Sequence, residues 1–287
     1  MDNRGLLIFL DINNEKVGFQ GEIGSYSEEA VHKFFVNAIS KPYKNLSDLF
    51  LSLENGEIEY AIVPVENSIQ GSITETYDLL LRSSVRVSGE INIKINHCLI
   101  AHSGIIKNDI NLVYSHPQAL GQCRNYLRGY GRETIATYDT AGSVKMIKEK
   151  KLKNAAAIAS RETAKLYDMA IIDEQIQDNE DNFTRFFCLS NKKTESTGND
   201  KTSIIFSSGH VSGALYKALR EFAEREINLC KIESRPTRKK AWEYNFYLDF
   251  EGHIDDEICN TAIEGLKNIS STVKILGSYP KAKDKLE

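Results

Sequence analysis

From Val17 to about residue 190, short apolar runs alternate with segments whose apolar residues recur every three or four positions. "KVGFQG" reads as a strand. Behind it, "SYSEEAVHKFFVNA" places Ala30, Val31, Phe34, Phe35 and Ala38 at helical spacing after a Ser25/Glu28 capping box. "YAIVPVEN" then "SITETYDLLLRS" repeat the pair, and "VRVSGEINIKINHCLIAH" reads as long extended chain. "INLVYS" leads into a helical "HPQALGQCRNYLRGYG", with Pro117 suited to its first turn and Gly129 near its end. "TIATYD", "TAGSVKMIKEKK", "AAAIAS", "RETAKLYDM" and "AIIDEQI" continue the series. This alternation predicts α/β layers with mainly parallel sheets.

The pattern stops at "NKKTESTGND" (residues 191–200), which is polar throughout and reads as a linker. Beyond it lies a compact series: strand "TSIIFSS", helix "SGALYKALREFAER", strands "NLCKIESRP" and "WEYNFYLDF", helix "DDEICNTAIEGLKNI", strand "TVKILGSYP". That β-α-β-β-α-β order is the ferredoxin-like split motif. The expected organisation is therefore an α/β unit over 1–190, a linker over 191–200, a ferredoxin-like unit over 201–280 and a frayed tail over 281–287.

Composition narrows the function classes. The 287 residues suffice for two cores, and 41% hydrophobic with 26% charged residues is ordinary globular usage. A net charge of −4 with no lysine or arginine block gives no footprint for nucleic acid. No apolar stretch approaches the roughly 20 residues that span a bilayer. At the N-terminus, the apolar Leu6–Ile12 run is short and broken by Asp11. It reads with Val17–Phe19 as a strand pair rather than a signal peptide, and a cytoplasmic protein is expected. Cys98, Cys123, Cys188, Cys230 and Cys259 are odd in number and scattered, so they read as buried free thiols. Asn182 heads an "NFT" glycosylation pattern that only a secreted chain would use.

The candidate chemistry lies at strand ends. "GFQGEIGSYS" spaces its glycines unlike a dinucleotide fingerprint, yet still brings backbone N–H groups to a helix N-terminus, as an anion site or a plain turn. Glu66, Asn67 and Ser68 follow one apolar strand, while Ser115, His116 and Gln118 follow another. Ligands of open α/β sheets bind beyond such ends. Ser115 and His116 cannot form a dyad, because neighbours in extended chain face opposite ways. His97 and His102 lack surrounding metal-ligand spacing. In "NFTRFF", Thr184 and Arg185 interrupt an apolar run. If that strand crosses back near a cleft between two halves, Thr184 can donate a hydrogen bond into a water-poor site.

"VPVENSIQGSI", "HPQALGQC", "AAIAS" and "NFTRF", in that order, resemble the prephenate dehydratase family. "GALYKALREFAEREINLCKIESRP" followed by "YNFYLDFEGH" resembles that family's C-terminal ACT regulatory domain, and the likeness runs from about Val17 to Gly277. The resemblance implies two α/β subdomains in a periplasmic-binding-protein-like arrangement, with the site between them. It implies loss of CO2 and the ring hydroxyl from prephenate to give phenylpyruvate for phenylalanine synthesis, with no cofactor or metal. It also implies phenylalanine as feedback inhibitor and a homodimer or homotetramer. No chorismate-mutase-like helical segment precedes Val17, so a monofunctional enzyme is expected.

The family motif makes Thr184 the donor to the departing hydroxyl. Asn67, Ser68, Ser115 and Gln118 become candidates to orient substrate, with Phe183 and Phe186 lowering the local dielectric. Glu66 is either an acid near the leaving group or an anchor of the turn. Arg185 either binds a carboxylate or pairs with Asp178, Glu180 or Asp181, its sequence neighbours. Effector binding is assigned to Gly213, Ala214 and Leu215 at a helix start and to Asn228, Leu229, Glu233, Ser234 and Arg235 on the next strand. Two departures stand out: Tyr216 where the family carries a small aliphatic, and Gly121 in "HPQALGQC". "GSITETYDLLLR" resembles the arogenate dehydratase branch equally. A non-catalytic amino-acid sensor would be expected to lack the hydroxyl at position 184, which is present.

Overall fold

In the computed structural model the described residues are 10–11, 14–209, 211–237 and 243–282. The chain opens with β1 (Leu10–Asp11), β2 (Lys16–Gln20), α1 (Tyr26–Phe34), β3 (Phe35–Val36), β4 (Ile39–Tyr43) and α2 (Leu46–Glu54). It continues with β5 (Tyr60–Asn67), β6 (Gly71–Ser72), α3 (Thr74–Arg82) and β7 (Arg86–Lys94). A second lobe holds β8 (Cys98–Ala101), β9 (Leu112–Ser115), α4 (Pro117–Gln122), α5 (Arg124–Tyr130), β10 (Glu133–Ala136), α6 (Thr140–Lys150), β11 (Ala155–Ala159), α7 (Arg161–Leu166) and β12 (Ala170–Asp173). The chain then returns to the first lobe as β13 (Phe183–Ser190).

That return makes the first lobe's sheet mixed, and β8 does the same in the second lobe, instead of the mainly parallel sheets expected. In the first lobe the order is β4-β2-β5-β13-β7, with β2 parallel to β4 and β5. β13 slots between β5 and β7 and runs against both. In the second lobe the order is β10-β9-β11-β8-β12, where β8 opposes β11 and β12. A strand buried in mid-sheet must be apolar on both faces, and successive side chains alternate between them. Accordingly Phe186 and Cys188 enter one core with Phe19, Val31 and Ile62, whereas Phe187 and Leu189 enter another with Leu49, Val63 and Val87.

The C-terminal unit comprises β14 (Asp200–Ser207), α8 (Ala214–Ala223), β15 (Leu229–Pro236), β16 (Tyr244–Glu251), α9 (Glu257–Ile269) and β17 (Thr272–Pro280), in antiparallel order β15-β16-β14-β17. Its ferredoxin-like topology is as expected. One sheet face buries Ile204, Phe206, Leu248 and Phe250 under α8 and α9. The other face adds Ile205, Tyr247, Leu276 and Tyr279 to the first lobe's core. The linker is correspondingly fastened. Asn191 Nδ2 donates to Leu53 O at 2.7 Å, and Asp200 accepts the N–H groups of Thr197 and Gly198 at 2.8 and 3.1 Å.

Several local expectations shift. The expected single helix after β9 is two, broken at Cys123 (φ −114°, ψ 26°), and it ends at left-handed Gly131 rather than at Gly129. Ser25 caps α1 by accepting the Glu28 N–H, but the Glu28 carboxylate reaches back to Gly24 N at 2.6 Å. Leu10–Asp11 pair with β3, not with β2, while residues 1–9 and the 283–287 tail lie outside the described residues. Four free thiols are buried and Cys230 is exposed. No helix among the described residues is long and apolar enough to cross a membrane.

At Gly277 the C-terminal sheet touches the backbone of β7. A Cβ there would lie 2.1 Å from Val87 O, and a backbone oxygen cannot swing aside. Gly277→Ala is therefore expected to lower unfolding stability by about 1–3 kcal/mol, as overpacking does. Urea denaturation measures this, and an unchanged midpoint would contradict the close contact.

Candidate active site

The outgoing and returning segments between the lobes are tied together: Ile95 N donates to Asn182 O at 2.8 Å and His97 N to Gln177 Oε1 at 2.9 Å. Ser68 fastens the same junction, accepting from Phe183 N at 2.9 Å and donating to Asp181 O at 3.0 Å. Beside it, a cleft of about 700 Å³ is lined from both lobes.

Thr184, Asn67, Phe186 and Gln118 line this cleft. Asn67 Oδ1 accepts the N–H groups of Ile69 and Gln70, both at 3.1 Å, which fixes which way its amide points. Its Nδ2 then lies 2.7 Å from Asn182 Oδ1, 3.1 Å from Phe183 O and 3.1 Å from Thr184 Oγ1. With its oxygen accepting from Asn67, the Thr184 hydroxyl keeps its own proton for a neighbour. A hydroxyl that accepts one hydrogen bond becomes a better donor of another. Asn182, head of the glycosylation pattern, is fully buried beneath this pair.

The opposite wall comes from the second lobe, including His116, Gln118, Gln122 and Asp139. His97 Nε2 lies 2.8 Å from Gln122 Oε1. That oxygen can only accept, so Nε2 carries the proton. Burial pushes the imidazoles of His97 and His116 below their ordinary pKa, keeping both neutral near pH 7. The N-termini of α1 and α3, at Ser25–Ser27 and Ile73–Glu75, also line the cleft. Their unpaired N–H groups favour anions. The sequence had flagged the turn before α1. It missed Gln122, one helical turn beyond Gln118, and Asp139, which looks like any helix cap.

Four predicted site residues lie elsewhere. Ser115 is fully buried, and its Oγ donates to Ile158 O at 2.6 Å; it points inward where its neighbour His116 points to the cleft. Ser68 is spent on the junction. Arg185 and Glu66 face the opposite side of the sheet from Thr184 and Asn67, as strand alternation dictates. Phe183 shares their parity and does not line the cleft.

Arg185 is not paired with Asp178, Glu180 or Asp181. Its guanidinium meets Glu90 on β7 at 2.6 Å, Asp249 on β16 at 2.6 Å and the Tyr279 hydroxyl on β17 at 3.0 Å. Lys201 adds a second contact to Glu90 at 2.8 Å. Glu66 pairs with Lys231 of β15 at 2.9 Å and stands 3.9 Å from Arg185. This polar cluster joins the C-terminal unit to the back of the site strand.

The effector candidates divide similarly. On β15, Lys231, Glu233 and Arg235 turn toward the first lobe, whereas Ile232 and Ser234 are exposed. Glu233 accepts from the Ser72 hydroxyl, and Arg235 donates to Thr74 O at 3.0 Å. Both contacts fall on the β6–α3 segment that lines the cleft. Gly213 takes a left-handed turn (φ 78°) before α8, with Ala214 following and Leu215 partly exposed. Asn228 hydrogen-bonds the Glu251 carboxylate, while Leu229 packs on the α8–α9 core.

Burial raises the Glu90 carboxyl, but Arg185 and Lys201 outweigh it and hold the group below the usual glutamate value. A depressed folded pKa contributes stability above the unfolded pKa, and that stability is lost as pH falls through the folded value. Thermal stability should therefore drop below the ordinary glutamate range. Arg185→Met should cost about 3–5 kcal/mol at neutral pH by stranding Glu90 and Asp249, and should flatten that acid limb. Melting curves from pH 3 to 7 on both proteins measure this. Parallel profiles would remove Arg185 from the linkage.

A family model described as prephenate dehydratase matches residues 17–194. The chain is 40% identical to a prephenate dehydratase of Methanocaldococcus jannaschii over 90% of this chain and 95% of that one. It is 42% identical to an Arabidopsis thaliana arogenate dehydratase/prephenate dehydratase over 92% of this chain and 72% of that one. A prephenate dehydratase from Arthrobacter aurescens, solved in complex with L-Phe, superposes with a TM-score of 0.84 at 31% identity, covering 93% and 90% of the two chains. The chain belongs to the prephenate dehydratase family.

Proposed function

We propose that the cleft catalyses the decarboxylating dehydration of prephenate to phenylpyruvate, with the hydrogen-bonded Asn67–Thr184 pair as the observation that carries the assignment. The substrate brings two carboxylates. The N-termini of α1 and α3 and the amides of Gln118 and Gln122 offer donors to them, and no lysine or arginine is among the described residues of the cleft wall. The ring carboxylate leaves as CO2, its C–C electron pair enters the ring, and the hydroxyl departs with a proton as water. Charge grows on the departing oxygen, and a preorganised hydroxyl aimed there stabilises it as it develops. Phe186 supplies an apolar surface for the nascent aromatic ring.

Phenylalanine is the effector in this reading, bound where two copies of the C-terminal domain meet. Exposed Leu215, Tyr216 and Ile232 give that meeting an apolar surface. The route to the cleft runs through α3. Arg235 holds its first turn, and Lys274 of β17 donates to the carbonyls of Leu80, Leu81 and Ser83 at its other end, at 2.7, 2.9 and 2.6 Å. A ligand that recruits Glu233 or Arg235 competes with these contacts and loosens the helix whose N-terminus lines the site.

Thr184→Ala is expected to lower kcat by roughly 10²-fold with folding intact, while Thr184→Ser keeps most of the activity. Steady-state assays with prephenate decide this, and near-normal turnover of the alanine variant would remove Thr184 from the chemistry. Phenylalanine should reduce the rate at low prephenate by a coupling of about 1–3 kcal/mol, or 5–150-fold in affinity. Arg235→Ala should weaken that response. Calorimetry showing no phenylalanine binding would leave the C-terminal unit a structural one.

A further inference from the structure

His97 is buried where the chain first crosses between the lobes, yet it borders the cleft, and the reaction described above gives it no part. The returning crossover holds it by the backbone. Besides the Gln177 side chain on its N–H, the His97 carbonyl accepts from Ile176 N at 3.0 Å. The next residue of that segment holds Gln122, whose carbonyl accepts from Asp178 N at 2.7 Å. One short stretch, residues 176–178, thus brings ring and amide together at 2.8 Å.

The ring's proton decides what that contact does. Burial keeps the imidazole neutral, so only one of its two nitrogens can donate. Nδ1 faces the Tyr26 hydroxyl at 3.4 Å, which is too long for a strong bond. That hydroxyl gives its own proton to Asn96 O at 2.7 Å, and burial holds its pKa well above the ordinary tyrosine value. The proton's better place is Nε2, against Gln122 Oε1. An amide whose oxygen is engaged in this way presents its NH2 edge elsewhere. No described residue accepts from Gln122 Nε2, and Gln122 lines the cleft, so both of its N–H bonds are left for a ligand. We propose that His97 is a positioning residue: it donates from Nε2 to Gln122 Oε1 and locks that amide with its NH2 edge toward a carboxylate of prephenate. This rests on the dehydratase reading above. Without the lock a glutamine amide can turn over and set its oxygen against the anion, acceptor facing acceptor.

His97→Phe keeps a ring against Tyr26 and removes the donor. In steady-state assays of the full chain, KM for prephenate should rise roughly tenfold, the scale of a lost hydrogen bond to a charged group, with kcat nearly unchanged. A merely structural histidine would do the reverse, lowering kcat through loss of active enzyme while KM stays put. His97→Gln, whose amide can still donate to Gln122, should keep KM near the wild-type value. In a Gln122→Leu background, where KM is already raised, His97→Phe should add nothing further. The unmutated chain gives a test that no folding defect can blur: nitrogen-15 NMR of its histidines, with His97→Gln identifying the signal, should show the proton of His97 on Nε2. A proton on Nδ1, a fall in kcat with KM unchanged, or effects that simply multiply in the double variant overturn the positioning role alone. A wild type inactive on prephenate overturns the dehydratase reading, and the role of His97 with it.

Discussion

Arg185 carries a permanent charge with a side chain only 13% exposed, and such a group stays inside a protein only where carboxylates meet it. Its two close partners come from different parts of the chain: Glu90 from the first lobe and Asp249 from the C-terminal sheet. Neither domain alone could bury that cation acceptably. The charge therefore sets a condition on the fold, since β13 can lie in mid-sheet only if the C-terminal sheet covers its back. The apolar contacts run the same way, because Phe187 on β13 packs edge-to-face with Tyr279 at 5.6 Å and shares one core with Tyr247. The linker itself stays largely exposed and is fastened at its ends, by Asn191 to Leu53 O and by Asp200 to Thr197 and Gly198.

The adjacent residue inherits this constraint. Thr184 and Arg185 are one peptide apart, so they face opposite sides of one strand. A shift in register of β13 would have to strand the guanidinium on one side while it moved the hydroxyl on the other. The Thr184 hydroxyl is thereby positioned from behind by an ion pair to the C-terminal unit. Lys231 and Glu66 repeat the arrangement one strand over, behind Asn67. The cleft-facing Asn67–Thr184 pair and the interdomain pairs occupy the two faces of the same two strands.

This alternation also explains what was legible in the sequence. The two lobes and the βαββαβ unit follow from local periodicity, which the chain displays openly. Thr184 was legible because a hydroxyl in an apolar run has little packing reason to be there. Arg185 raised the same suspicion, but its partners lie 64 and 95 residues away, and no local pattern points to them. The nearby acidic residues were a plausible and mistaken substitute. Ser115 and His116 show the limit in miniature: the strand end was visible, but which neighbour faces the cleft depends on the sheet's placement. Asp139 was hidden because a carboxylate before a helix is what any helix start uses.

The strand β15 carries the argument one step further. Its motif "ESRP" was read as a single binding surface, yet a strand splits any such run between two faces. Glu233 and Arg235 touch Ser72 and Thr74 of the cleft segment, while Ser234 between them is exposed. An edge strand of this kind does not need a large domain motion to communicate. Its inward contacts are few, polar and directional, so a small rotation of the ribbon breaks them, whereas the apolar core behind β16 tolerates little change. These polar contacts lie directly between the exposed face of β15 and the N-terminus of α3. Any ligand that prefers one setting of that ribbon shifts the cleft by as much as it discriminates between the two settings, and by no more.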